Sequence, residues 1–569
     1  MKLIYIFISL LLFQSCFKEN KERDNILNIA LTTQVPTLDH AISYDTVSAE
    51  VVYQIHEPLL EYEYLIRPYT LKPLTAADMP VVKEEGLLYE FTIKEGIQFH
   101  KHEAFGDKPR FLKADDFINQ VKRIAYDKKS NAFWIFKNVV GIDKFKDTVN
   151  SIDDMFKTDI EGVKKLSDLK FQIRLTKPQP QFIYAFAMSF TAPSPEEIIR
   201  FYKNDLSVNP VGTGPFYFEK WDRNLSIELK KFANYRDDYY PKKGDRYSYE
   251  RNLLQSKGEK IPFIDGIKFH ILKEAQTRWL NFLKQKVDFV ILTKDHFTVA
   301  LDSNGRLKDD YTEKGIELQI SPTLTYWWLA FNMEDEIVGK NKLLREAIAH
   351  AVNIPKFIEI FTNNIGQKAN SIYPPGIPGY SPSARLPYEY NVEKAKELLA
   401  KAGYPNGEGL PTLNYDIRGV SNVSRQGGEF IQRELEKIGI KVNVVVNTFA
   451  GFLQKAKNKK LQFWQGGWSM DYPDAENIIQ LLTKASLPPG PNSANYVNPV
   501  VEKAYQDLLK LKPNQDQSKY LSLVEEQVNQ ELPWVMMFYS RNYVLQFNNI
   551  KNFRHSDLIY NNYKYIKIQ

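Results

Sequence analysis

The run Gly466-Gly467-Trp468-Ser469-Met470-Asp471-Tyr472-Pro473-Asp474 sets a carboxylate between two large aromatic side chains. Such a group is suited to holding a small cation. Rings beside Asp471 exclude water from it, which strengthens its attraction for an ammonium, and the faces of Trp468 and Tyr472 add cation–π attraction. Gly and Pro on either side predict a sharp turn, and the same composition also describes a solvated surface turn. Other chemistry is thinly represented. The chain contains no G-x-S-x-G, no H-E-x-x-H and no C-x-x-C, so acid–base pairs among its 69 carboxylates are the remaining route to a hydrolase. His100-Lys101-His102-Glu103 offers two histidines at i, i+2 but no third ligand nearby, and a loop is expected there rather than a metal site.

The elements that must position Asp471 read as alternating strands and helices. Asn28–Thr32 is a short strand ending in the turn Val35-Pro36-Thr37-Leu38-Asp39, and Thr46–Leu60 carries apolar residues at helical spacing. Leu87–Phe99 alternates as a half-buried strand does, and a helix begins at Ala114 with Asp115 and Asp116 in its first turn, where the helix dipole favours negative charge. Strands are expected at Ile267–Leu272 and Val287–Leu292 around a helix, then at Thr325–Asn332, Val442–Val446 and Trp534–Tyr539. Helices are expected at Asn391–Ala402 and Gly428–Ile438, with Gly403 and Gly439 at left-handed C-terminal caps.

The first sixteen residues resemble an export signal: Lys2, an apolar run of 11 from Leu3 to Phe13, and Ser15 before Cys16. That run is too short to span a bilayer. Cys16 is the single cysteine among 569 residues, so no internal disulfide forms, and its place after the apolar run points to a lipid-modified N-terminus followed by a charged tether, with simple cleavage as the alternative. No later uninterrupted apolar run is long enough for a membrane span, and the length calls for several structural units. Net charge is +6 from 75 basic and 69 acidic residues, mixed along the chain without a basic stripe, which gives nucleic-acid binding no support. With 33 Tyr, 35 Phe and 8 Trp, the chain has rings enough for both cores and an aromatic-lined cleft.

Seven short motifs follow one another over about 440 residues: Pro36-Thr37-Leu38-Asp39, Pro210-Val211-Gly212-Thr213-Gly214-Pro215, Asn234-Tyr235, Arg345-Glu346-Ala347-Ile348-Ala349, Pro374-Pro375-Gly376, Ala402-Gly403-Tyr404-Pro405 and Trp468 to Asp474. Their order and spacing resemble the solute-binding proteins of bacterial peptide ABC transporters. The resemblance implies an α/β fold of the periplasmic-binding-protein type II class, two lobes joined by crossing strands with an extra domain inserted in the first. The expected division is 1–16 signal, 17–26 tether, 27–60 with 196–293 and 541–569 as first lobe, 61–195 inserted subdomain, and 294–540 second lobe. Crossings are expected near Leu292-Thr293 and Tyr539–Tyr543.

The resemblance also implies function: capture of short peptides between the lobes for delivery to an ABC permease, by a monomer in the periplasm or cell envelope, without catalysis or cofactor. It gives Asp471 to the peptide α-ammonium, with Trp468 and Tyr472 in the same pocket, Arg425 to the ligand carboxylate, and Phe449 to a position that is often Trp. A second family carboxylate partner, an Arg three residues before the motif Trp, is Gln465 here. Backbone around Ser43 to Thr46, with Tyr44 and Asp45, is expected to pair with the peptide, and Phe133 and Trp134 to form a wall or ordinary packing. Competing readings are the same fold binding a nickel chelate, oligosaccharide or opine, a receptor or adhesin that has lost transport, and an exported hydrolase. Asp471 favours peptides, because a neutral sugar leaves that carboxylate unpaired.

Overall fold

Two long strands, Ile316–Phe331 and Trp534–Phe547, carry the chain between its halves. The structure, a computed structural model, describes residues 25–511 and 515–569, so the expected signal, Cys16 and nearly all of the tether lie outside it. Both strands are rich in β-branched and aromatic residues, which fit a half-buried pleated surface, and they pair antiparallel from Ile316↔Phe547 to Ala330↔Trp534. The ladder slips register between Pro322 and Tyr326 and again between Trp327 and Trp328. Pro322 has no backbone N–H to give the ladder, so the first slip falls where pairing is weakest.

That slip marks the passage between lobes. The return crossing falls within the expected Tyr539–Tyr543, since Pro322 opposes Arg541 and Tyr326 opposes Tyr539. The outward crossing is displaced from Leu292-Thr293. There the chain turns into the helix Lys294–Ala300, whose Phe297 and Ala300 pack with Leu27, Ile29 and Val52 in the first core. Phe297, Ala300, Leu301 and Ile316, all beyond residue 293, belong to that first core.

The first lobe is built on a four-stranded sheet in the order Ile26–Leu31, Gly266–Ile271, Ser226–Lys231, Phe216–Asp222. Helix Thr46–Ile55 follows the first strand and ends against the Pro210–Pro215 motif. A Cβ on Gly212 would lie 2.0 Å from the Ile55 carbonyl oxygen and one on Gly214 2.4 Å from that of Gln54, so only glycine lets this turn seat on the helix end.

The inserted subdomain has its own antiparallel sheet, Val81–Lys83, Leu88–Thr92, Lys170–Arg174, Val163–Ser167, and its own core around Phe91, Phe117 and Phe171. Arg123, from its helix Ala114–Tyr126, is fully buried and grips Asp39 of the first lobe through both terminal guanidinium nitrogens, one of them at 2.8 Å. The second lobe carries a mixed sheet with a core on each face. Asn391 caps the helix Val392–Lys401 by accepting from Lys394 N–H, and Gly403 takes φ +96°, as the sequence pattern predicts. Among the described residues no helix is long and apolar enough to cross a membrane.

Candidate functional site

Strand Phe463–Ser469 lies beside the first crossing strand, Trp468 opposite Tyr326 and Ser469 opposite Thr325. Its two glycines make no turn. A Cβ on Gly466 would meet the Trp328 indole at 2.5 Å and one on Gly467 the Trp327 ring at 2.5 Å, so both are required where two tryptophans lie against the strand. The chain leaves the sheet after Ser469, and Asp471 stands in the loop that follows.

Asn477 fixes that loop. Completely buried, it accepts the Trp468 indole N–H at 2.8 Å and the Asp471 backbone N–H at 3.3 Å, and it donates to Asp471 Oδ2 at 3.4 Å. Asp471 is exposed, yet the protein around it displaces enough water to raise its carboxyl above the usual range, opposed by the Asn477 bond. Among the described residues no basic side chain forms an ion pair with it. A carboxylate partly desolvated and without a counter-ion has the electrostatics to attract a cation.

Arg418 supplies the opposite charge. It ends the strand Leu413–Arg418, lies 4.6 Å from the centroid of the Trp327 ring and reaches the Gly467 carbonyl at 3.5 Å. Burial depresses its pKa, and among the described residues no carboxylate pairs with it. The expected carboxylate partner was Arg425, which the structure places on the exposed face of the helix Asn422–Glu436. Ser421 caps that helix, so it begins six residues before the expected Gly428 and takes Arg425 inside it.

Tyr472 is buried, stacked on Tyr184 of the inserted subdomain and hydrogen-bonded to Glu476 Oε2 at 2.5 Å. Asp45 is engaged as the N-cap of helix Thr46–Ile55, accepting from Ser48 N–H at 2.8 Å and Ser48 Oγ at 2.7 Å. Ser43 and Tyr44 lie outside every ladder, and Tyr44 is exposed. Phe449 is exposed at the start of the helix Phe449–Lys457. Trp134 is exposed, and Phe133 lies beneath Lys146 at 4.1 Å. Gln465 approaches the Met537 sulfur at 4.0 Å. His100 is buried against the Gly214 carbonyl at 2.9 Å, and His102 caps a short turn.

Thr46 does face the gap between lobes. It lines a cavity of about 540 Å³ with Glu50 and Asp557 on the first-lobe side and Leu324, Thr325, Ser469 and Met470 on the other. Burial and the charge of Asp557 push the Glu50 carboxyl up to about 7, although the Tyr563 hydroxyl donates to it. Asp557 is pushed up to about 6 by burial. Sequence reasoning missed Asn477, Arg418 and Glu50. An Asn immediately before the largely apolar segment Ile478–Leu482 and an Arg closing a buried strand are the signals available for the first two.

The chain matches the family of bacterial extracellular solute-binding proteins, family 5 Middle, over residues 70–487. The dipeptide-binding protein of Escherichia coli K12 is 26% identical over 454 residues, 78% of this chain and 76% of its own. HbpA2 from Haemophilus parasuis superposes with a TM-score of 0.77 at 22% identity, covering 96% of this chain and all of that one. The periplasmic binding protein DppA of Helicobacter pylori, solved with the peptide STSA, gives 0.65 at 23% identity over 95% of this chain and 98% of its own. Two lobes about paired crossing strands, an inserted subdomain and a match over most of the length place this chain in the bacterial extracellular solute-binding proteins, family 5.

Proposed function

We propose that the protein captures short peptides between its lobes and delivers them to an ABC permease. The observation that carries this reading is a pair of charges without ion-pair partners among the described residues, one against the strand Phe463–Ser469 and the other in the loop that follows it. Asp471 suits an ammonium, and Arg418, its guanidinium carbon 4.6 Å from the centroid of the Trp327 ring, suits a carboxylate. Backbone from Gly467, which Arg418 touches, to Asp471 spans at most about 14 Å when extended, the scale of a di- to tetrapeptide. A free peptide is the common metabolite class with both charges at that range. Relatives named for dipeptide binding and solved with a bound peptide support the same class. Binding energy then drives closure about the crossing strands, and the closed form is what the permease recognises.

We read Cys16 as the attachment point of a lipid anchor and the protein as a monomer in the cell envelope. Native mass spectrometry of the purified full chain tests the ligand class. Short peptides of mixed sequence are the expected co-purifying species; a sugar, an opine or a metal chelate overturns the reading.

A further inference from the structure

Tyr184 belongs to the inserted subdomain, yet its hydroxyl donates to Asp474 Oδ2 of the second lobe at 2.7 Å. Its ring lies parallel to that of Tyr472, centroids 5.4 Å apart and planes 9° from one another. The two units it joins have separate cores. From this contact a path of hydrogen bonds and one peptide link runs to Asp471. Asp474 Oδ1 accepts the backbone N–H of Glu476 at 2.8 Å, and Glu476 holds the Tyr472 hydroxyl at 2.5 Å and the Tyr505 hydroxyl at 2.7 Å. The next residue, Asn477, holds Trp468 and Asp471.

Asp471 has little else to locate it. Its carboxylate receives one side-chain bond, a long one from Asn477, so its position follows that of the short helix Glu476–Ile479. The start of that helix is gripped from the side by Asp474, whose second oxygen is occupied by Tyr184. A shift of the subdomain relative to the second lobe is therefore transmitted to the ammonium site through three residues.

We propose that Tyr184 is a positioning residue for ligand recognition, through which the inserted subdomain sets the place of Asp471 and so the preference for a free amino end. The proposal rests on the reading of Asp471 as the ammonium partner. Its signature is not affinity as such but the ratio of affinities for a peptide and for its N-acetylated form.

Calorimetry on the full chain with one short peptide and its N-acetylated derivative measures that ratio. Tyr184→Phe keeps the stacked ring and removes the hydroxyl; the ratio is expected to fall at least about fivefold, the scale of one hydrogen bond. Asp474→Asn, approached from the other side of the bond, is expected to lower the ratio as well, and the double variant to add little to the larger single effect. A ratio that stays at the wild-type value in Tyr184→Phe, whether both ligands weaken alike or neither changes, overturns the positioning role alone. A wild-type protein that does not discriminate between the two ligands overturns the reading of Asp471, and the positioning role with it.

Discussion

Asn477 accepts the Trp468 indole N–H at 2.8 Å from a position with no exposure to solvent. The bond joins the end of the motif strand to the helix that follows the loop, so the loop carrying Asp471 is closed at both ends. Asn477→Ala leaves the indole N–H and the Asp471 backbone N–H without this partner. It is expected to destabilise the protein by about 1–3 kcal/mol, read as a lower denaturant midpoint at unchanged slope.

Asp471→Asn removes the negative charge and keeps the shape. Binding of peptides with a free amino end is expected to weaken by at least about 1.5 kcal/mol in calorimetry, while N-acetylated peptides are unaffected. Equal affinity in wild type and variant for the free peptide removes Asp471 from the site.

Arg418→Lys keeps a positive charge and loses the planar group that lies on Trp327. Peptides with a free carboxylate are expected to bind at least about tenfold more weakly, about 1.4 kcal/mol, and C-amidated peptides to show no difference. A lysine variant that binds both forms as the wild type does assigns the carboxylate elsewhere.

Glu50 gives the protein a pH dependence of a particular sign. Its folded pKa of about 7 lies above the ordinary carboxyl value of 4.5, so between these values the folded chain keeps a proton that the unfolded chain has released. Stability therefore falls as pH rises through that window. Asp557, raised to about 6, acts in the same direction, and the Tyr563 hydroxyl opposes the Glu50 shift. Glu50→Gln is expected to flatten the slope between about pH 4.5 and 7 and to leave the variant about 1 kcal/mol more stable than wild type at pH 8. Thermal unfolding across that range checks it.

Arg123→Met leaves Asp39 buried without its cation. Both side chains are completely inaccessible, so the charge has no water to turn to, and a loss of about 3–5 kcal/mol is expected in chemical denaturation.

Local signals carried much of this architecture into the sequence. Asn391 before an amphipathic helix and Gly403 after it need only their neighbours to be read, and both sit where cap chemistry requires. The crossing between lobes has only Pro322 as a local signature. Ile316–Phe331 is one strand with slips in its register, and the rest of its composition does not say that one end belongs to one core and the other to another. In the candidate site, the motif singles out Asp471 and Trp468, and the structure joins them through Asn477. Tyr472, next in sequence, is directed into the contact with Tyr184, a partner almost 300 residues away. Arg425 and Arg418 lie seven residues apart, and only the capping of a helix by Ser421 decides which one closes a strand beside Trp327.

The two crossings lie side by side in one ladder, and that has a mechanical consequence. A pair of hydrogen-bonded strands resists stretching and shear along its length but twists readily. Rotation of one lobe against the other about this ladder is then the expected coordinate of opening and closing. A transporter that contacts both lobes needs to measure only that angle to tell a loaded protein from an empty one.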